Sequence, residues 1–170
     1  MHSEWINVST IFIEQMIQNI MNGIFCVGTT SVRTIESLYW MGLKVFLNPH
    51  IKMEDLKINQ WEVYEEPLIN NICSAKESLQ SLLNYLKMKK AERLFIQTQI
   101  IIAPDYQFKI ANGMITNFHQ PKSTLLLLVA AMIGQEWKRI YEYALTHDFR
   151  FLSYGDGCLI YNDQNFGGWT

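Results

Sequence analysis

Two places where an apolar run gives way to polar residues carry most of the side chains able to bind or react. In the first, Gly28-Thr29-Thr30-Ser31-Val32-Arg33 follows the apolar run Ile24-Phe25-Cys26-Val27. A strand ending there and a helix starting there would leave backbone N–H groups free to attract an anion, at the kind of strand end where open α/β sheets bind ligands. Gly28, Thr29, Thr30, Ser31 and Arg33 are therefore candidate substrate-binding residues for a small or anionic ligand. The stretch lacks the glycine-lysine signature of a phosphate loop and the three-glycine signature of a dinucleotide fold. It equally fits an ordinary hydroxyl-capped helix whose Arg33 pairs with an acid.

The second place, Thr116-Asn117-Phe118-His119-Gln120-Pro121-Lys122-Ser123-Thr124, gathers amide, imidazole, ammonium and hydroxyl groups in one short stretch. His119 is a candidate proton carrier, because an imidazole changes charge near neutral pH; Thr116, Asn117, Phe118, Lys122 and Ser123 are candidate substrate contacts. The plain alternative is a packed histidine before a helix that starts at Pro121. A third polar turn, Ser153-Tyr154-Gly155-Asp156-Gly157, adds Tyr154 and Gly155 as candidate contacts and Asp156 as a candidate catalytic carboxylate. Its glycines allow close approach of a ligand or a positive φ, although Asp156 also suits a simple turn. Near the amino end, His2 and Glu4 put a base and a carboxylate on one face of any strand formed there. Lys87, Lys89, Lys90 and Arg93 are able to meet phosphates, but lysines at a helix end are more simply a solvated terminus favoured by the helix dipole.

The elements that must position these groups can be read from periodicity. Thr10 to Asn22 has a helical period stopped by Gly23, Ile24 to Val27 reads as a strand, and Val32 to Met41 as a helix. Residues 42–75 have the weakest pattern and are expected to be irregular, insertion-like and exposed. Ser74 and Glu77 are spaced as a capping box for a helix reaching Lys90. Leu94 to Ala103 and Phe108 to Phe118 read as strands, and a helix from Pro121 to Ile133 is apolar on every side, as expected of one lying between layers. Glu136 to Thr146 reads as a helix, Phe149 to Leu152 as an apolar piece, and Cys158 to Tyr161 as a last strand. Helices alternating with apolar strands predict one α/β layered domain over residues 1–161, with a frayed tail over 162–170.

The chain has 170 residues, of which 49% are hydrophobic, 13% aromatic and 18% charged, which excludes disorder for most of it. Its longest apolar run, Leu125 to Ile133, is far short of the roughly 20 residues of a membrane-spanning helix. No secretory signal is visible, so a cytoplasmic protein is expected. Cys26, Cys73 and Cys158 are widely spaced and form no zinc pattern, so neither a disulfide framework nor a metal site is expected. A net charge of −2 removes bulk attraction to nucleic acid, and any RNA contact must come from a local patch.

Four blocks, HSEW at 2–5, VGTTSVRTIES at 27–37, ITNFHQPKSTLLLLVAA at 115–131 and FRFLSYGDGCLIY at 149–161, together resemble the S-adenosylmethionine:tRNA ribosyltransferase-isomerase family of queuosine biosynthesis. The resemblance implies a layered α/β/α fold with a mixed or mostly parallel sheet. It implies transfer and isomerisation of the ribosyl unit of S-adenosylmethionine onto 7-aminomethyl-7-deazaguanine in a tRNA anticodon, giving epoxyqueuosine-tRNA, adenine and methionine. S-adenosylmethionine would be a substrate, tRNA the partner, and no further cofactor or membrane would be involved. Family members look about twice as long, with an amino-terminal half and an inserted β-barrel, so the chain resembles their carboxyl-terminal half. The alternative reading is a non-catalytic module that binds RNA or S-adenosylmethionine, and an uncovered apolar face would lead to self-association. Gln120 stands where the family usually has leucine and Asp105 where it usually has glycine, and residues 38–93 carry none of the four blocks.

Overall fold

A computed structural model of the chain describes residues 3–71, 73–120 and 123–161. The candidate residues His2 and Lys122 and the expected tail over 162–170 lie outside the described residues. The chain divides into two compact units, Met1–Gly23 with Arg33–Ile101 and Ile24–Val32 with Ile102–Thr170.

In the first unit, β1 (Glu4–Ser9) pairs antiparallel with β3 (Arg93–Thr98), Glu4 opposite Thr98 and Ser9 opposite Arg93. Strand alternation sends Ile6, Val8, Leu94, Ile96 and Thr98 to a buried face and leaves Trp5 and Phe95 on the other. Ser9 ends β1 and caps α1 (Thr10–Asn19), its Oγ accepting the Phe12 N–H at 3.1 Å. The expected capping box is present on α3 (Ala75–Met88): Ser74 Oγ accepts from Glu77 N–H at 3.2 Å, and Glu77 Oε2 from Ser74 N–H at 3.0 Å.

The helix α2 (Thr29–Leu47) runs past Met41, where its pattern was expected to end. Gly42 does not stop it, because this glycine is a packing contact: a Cβ there would lie 2.2 Å from the Ser78 carbonyl of α3. Residues 48–71 are irregular apart from two short 3-10 turns, Met53–Leu56 and Glu62–Tyr64. They are not simply exposed, as the sequence suggested, since Leu56, Ile58, Val63 and Leu68 are buried. Lys44 holds the segment down, donating to the carbonyls of Asp55 (3.2 Å) and Lys57 (2.7 Å) and pairing with Glu62 at 2.5 Å. The same segment shortens the expected strand Leu94 to Ala103 to β3. Past Thr98, Gln99 N–H bonds Ile58 O at 2.8 Å and Ile101 N–H bonds Gln60 O at 3.2 Å, so the chain leaves β1 for residues 58–60.

In the second unit a three-stranded sheet has β4 (Ala111–Asn117) at its centre, parallel to β2 (Ile24–Val27) and antiparallel to β5 (Gly157–Tyr161). This mixed sheet, in a chain whose strands alternate with helices along the sequence, is the expected α/β class. Gly113 lets the ring of Phe25 lie across β4, since a Cβ there would be 2.6 Å from Phe25 Cε1. One face of the sheet carries Phe25, Val27, Ile115, Leu159 and Tyr161, all exposed. The helix α4 (Thr124–Ile133) starts at Ser123, whose Oγ accepts the Leu125 N–H at 3.1 Å. It is not enclosed on every side: Leu126, Leu128, Val129 and Met132 are buried, while Leu127 is exposed. The helix α5 (Glu136–Thr146) has the expected bounds, but Phe149 to Leu152 form no strand.

Candidate functional site

The Glu4 and Arg33 side chains meet in the first unit. Glu4 opens β1 and Arg33 lies in α2, one turn before Ser37, whose Oγ donates to Arg33 O at 2.7 Å and shares a 2.7 Å hydrogen bond with Thr98 Oγ1. That bond ties α2 to the strand position opposite Glu4. Arg33 is 1% exposed, its Nη1 donates to Glu4 Oε1, and its Nε donates to Ile100 O at 3.1 Å. Burial pulls the guanidinium below its usual value and the Glu4 carboxylate pushes back, which leaves it charged, as arginine in proteins always is.

Three buried polar atoms here have no hydrogen-bond partner among the described residues: Ser3 Oγ, Glu4 Oε2 and Arg33 Nη2. Each such atom costs about 1–3 kcal/mol of lost hydration, and buried groups of this kind call for an explanation. One acceptor and one donor left over at a single ion pair suit a polar ligand that both donates and accepts.

The second unit brings together the polar turns that the sequence singled out. Gly28 has φ +86 and its N–H bonds Ile115 O at 2.8 Å, which joins the start of α2 to the end of β4. Thr29 is buried, Thr30 is exposed, and the Ser31 hydroxyl is occupied on Val27 O at 2.7 Å. His119 Nε2 and Thr116 Oγ1 share a 3.0 Å hydrogen bond, and the His119 N–H donates to Tyr141 Oη at 3.1 Å. Burial lowers the His119 pKa and raises that of Tyr141, so both groups are held neutral around pH 7. Phe118 is a core residue, 3% exposed, with its ring against Tyr141, Phe149 and Phe151.

Asn117 Nδ2 donates to Gly155 O at 3.0 Å, so the second and third turns touch. The Asp156 carboxylate closes its own loop, accepting from Arg150 N–H at 2.8 Å and from the Arg150 guanidinium at 3.3 Å; the backbone bond, then the guanidinium, lowers its pKa. Gly155 is required for closeness rather than for a positive φ, because a Cβ would sit 2.4 Å from Arg150 O. Tyr154 is 97% exposed, and Ser123 is the cap of α4. Ser3, Arg150 and Tyr141 were not among the candidates. Ser3 sits inside the HSEW block and was within reach, whereas no spacing marks Arg150 or Tyr141. Among the described residues no group of three His, Cys, Asp or Glu side chains is placed to hold a metal, and no helix is long and apolar enough to cross a membrane.

The family model described as "Queuosine biosynthesis protein" matches residues 1–160. The chain belongs to the queuosine-biosynthesis protein family. This match runs through residues 38–93, where none of the four blocks lies. An S-adenosylmethionine:tRNA ribosyltransferase-isomerase of Prochlorococcus marinus (strain MIT 9515) is 34% identical over 167 residues, covering 96% of this chain and 33% of that protein. The protein of the same name from Cereibacter sphaeroides (strain KD131) is 54% identical over 65 residues, 38% of this chain and 19% of its own length. The crystal structure of a Thermotoga maritima S-adenosylmethionine tRNA ribosyltransferase superposes with a TM-score of 0.55 at 24% identity, over 91% of this chain and 39% of that one, a likeness of fold. This queuosine-biosynthesis family chain thus spans about a third of the length of curated relatives that it matches nearly end to end.

Proposed function

We propose that the chain takes part in the transfer and isomerisation of the ribosyl unit of S-adenosylmethionine onto 7-aminomethyl-7-deazaguanine in tRNA, releasing adenine and methionine and leaving epoxyqueuosine-tRNA, in the cytoplasm. The observation that carries this reading is the Glu4–Arg33 ion pair, built from the HSEW and VGTTSVRTIES blocks around a fully buried guanidinium, with a donor (Arg33 Nη2) and an acceptor (Glu4 Oε2) unpartnered among the described residues. Arg33 Nη2 suits the methionine carboxylate and Glu4 Oε2 the methionine ammonium, the two ends of an amino-acid head. His119, neutral and on a hydroxyl, is the proposed proton carrier. In this reading Asp156 holds the third turn in shape, and Asn117 with Gly155 links it to the second. The exposed row Phe25, Val27, Ile115, Leu159 and Tyr161 is where self-association with a second copy is proposed.

The test is adenine release, followed by chromatography, from S-adenosylmethionine and tRNA carrying the aminomethyl base. Adenine formed in step with modified tRNA, and lost in His119→Ala, is the expected result. The chain's share of about a third of its relatives' length favours a second reading, a binding module without turnover. Donor binding without adenine would support that reading, and neither binding nor adenine would overturn both.

A further inference from the structure

We propose that the outward face of the β1–β3 sheet is a stacking platform for single-stranded RNA. Trp5 and Phe95 are 60% and 62% exposed, and their rings stack on each other at 4.5 Å between centroids and 10° between planes. Alternation puts Asn7 on the same face as Trp5, and Arg93 and Gln97 on the same face as Phe95. Arg93 reaches across the sheet, its Nε donating to Asn7 Oδ1 at 2.7 Å and its Nη2 to Asn7 O at 3.4 Å. The face therefore offers flat π surface, two amides able to meet base edges, and a guanidinium able to meet a phosphate or stack.

The composition of this face decides what it fits. The exposed sheet face of the second unit is mostly aliphatic, with Val27, Ile115 and Leu159, and that is the character of a surface meeting protein. Among the described residues, the β1–β3 face has no exposed aliphatic side chain beside its rings. Lys87 is paired with Glu14 at 2.5 Å, and the chain from there into β3 carries exposed Lys89 and Lys90 as well as Arg93, with Glu92 the sole acid between Lys87 and Phe95. This is a local cationic approach in a chain whose net charge is −2. A duplex hides its base faces, so an aromatic platform selects single strands. The inference rests on the tRNA reading only for the kind of polymer.

The test is fluorescence anisotropy of a short labelled oligoadenylate with the full chain and its variants, with a duplex RNA as the control. Trp5→Ala and Phe95→Ala should each weaken single-strand binding at least about fivefold, Trp5→Phe should recover most of it, and Arg93→Gln should flatten the salt dependence by about 0.7 in log–log slope. Both rings point outward, so each variant should fold, with melting lowered by no more than about 2–6 °C for the lost ring–ring contact, and this is checked alongside. Wild-type affinity in well-folded variants would overturn the proposal, as would equal binding of duplex. A change of oligomeric state in the variants without a change in RNA affinity would also overturn it and make the face a protein contact. The probe needs neither donor nor modified base, so wild-type oligoadenylate affinity in the variants with adenine release intact refutes this inference alone, and ring-dependent binding without adenine release refutes only the catalytic reading.

Discussion

Replacing Glu4 with alanine takes away the one charged partner, among the described residues, of a cation that is 1% exposed. What remains for the Arg33 guanidinium is the Ile100 carbonyl at 3.1 Å. Removing one member of a buried ion pair costs about 3–5 kcal/mol, because the other charge stays buried. The Glu4 side chain is 35% exposed, so water can follow into its place and part of the loss is screened. A cost of about 2–3 kcal/mol is the result, equivalent to about 4–12 °C in melting temperature for a chain of this size. The assay is a thermal melt by circular dichroism of wild type, Glu4→Ala, Arg33→Met and the double variant. Arg33→Met keeps an apolar stem of similar length and removes the charge, so Glu4→Ala should then cost less than about 1 kcal/mol, a coupling of about 2 kcal/mol. A Glu4→Ala chain melting within about 1 °C of wild type, or strictly additive variants, would refute the reasoning.

Three further outcomes follow from the packing and titration of single residues. Gly42→Ala should destabilise by about 1–2 kcal/mol in urea, the clash with the Ser78 carbonyl at 2.2 Å outweighing the gain in helix propensity; a neutral or stabilising result contradicts the α2–α3 contact. Asp105 has φ +73, a conformation that favours glycine, and Asp105→Gly should raise the melting temperature, by up to about 1 kcal/mol of stability. Because burial lowers the His119 pKa, the unfolded chain binds the proton more readily, so stability is full above about 6.5 and falls as the pH drops through the lowered folded value. Denaturation midpoints between pH 7 and pH 5 should therefore fall more steeply for wild type than for His119→Gln, and parallel curves would place the imidazole in water.

What the sequence revealed was what short-range chemistry determines. The Ser74–Glu77 box and the bounds of α5 were legible because capping and amphipathic period act within a turn or two. The exit of β3 at Thr98 was not, because residues 99–101 bond to residues 58–60, and nothing near Gln99 records that partner. The periodic pattern ended at Met41 because nothing in the letter of Gly42 records that it packs against a neighbouring helix and lets α2 continue. At the candidate site, the pattern raised an Arg33 paired with an acid without naming Glu4, which lies 29 residues away on another element. Asp156 was visible as a polar turn residue, but its partner Arg150 is marked by no recurring spacing.

The most direct test of the central claim, that Glu4 and Arg33 are one side of the donor site, is a thermal melt with and without saturating S-adenosylmethionine. At about 100 times its Kd a ligand stabilises by about 2.7 kcal/mol, which for this chain is an upward shift of about 5–10 °C. The account predicts that shift in wild type and its loss in a folded Arg33→Met chain. A cooperative wild-type melt that does not move, or an equal shift in Arg33→Met, would contradict it.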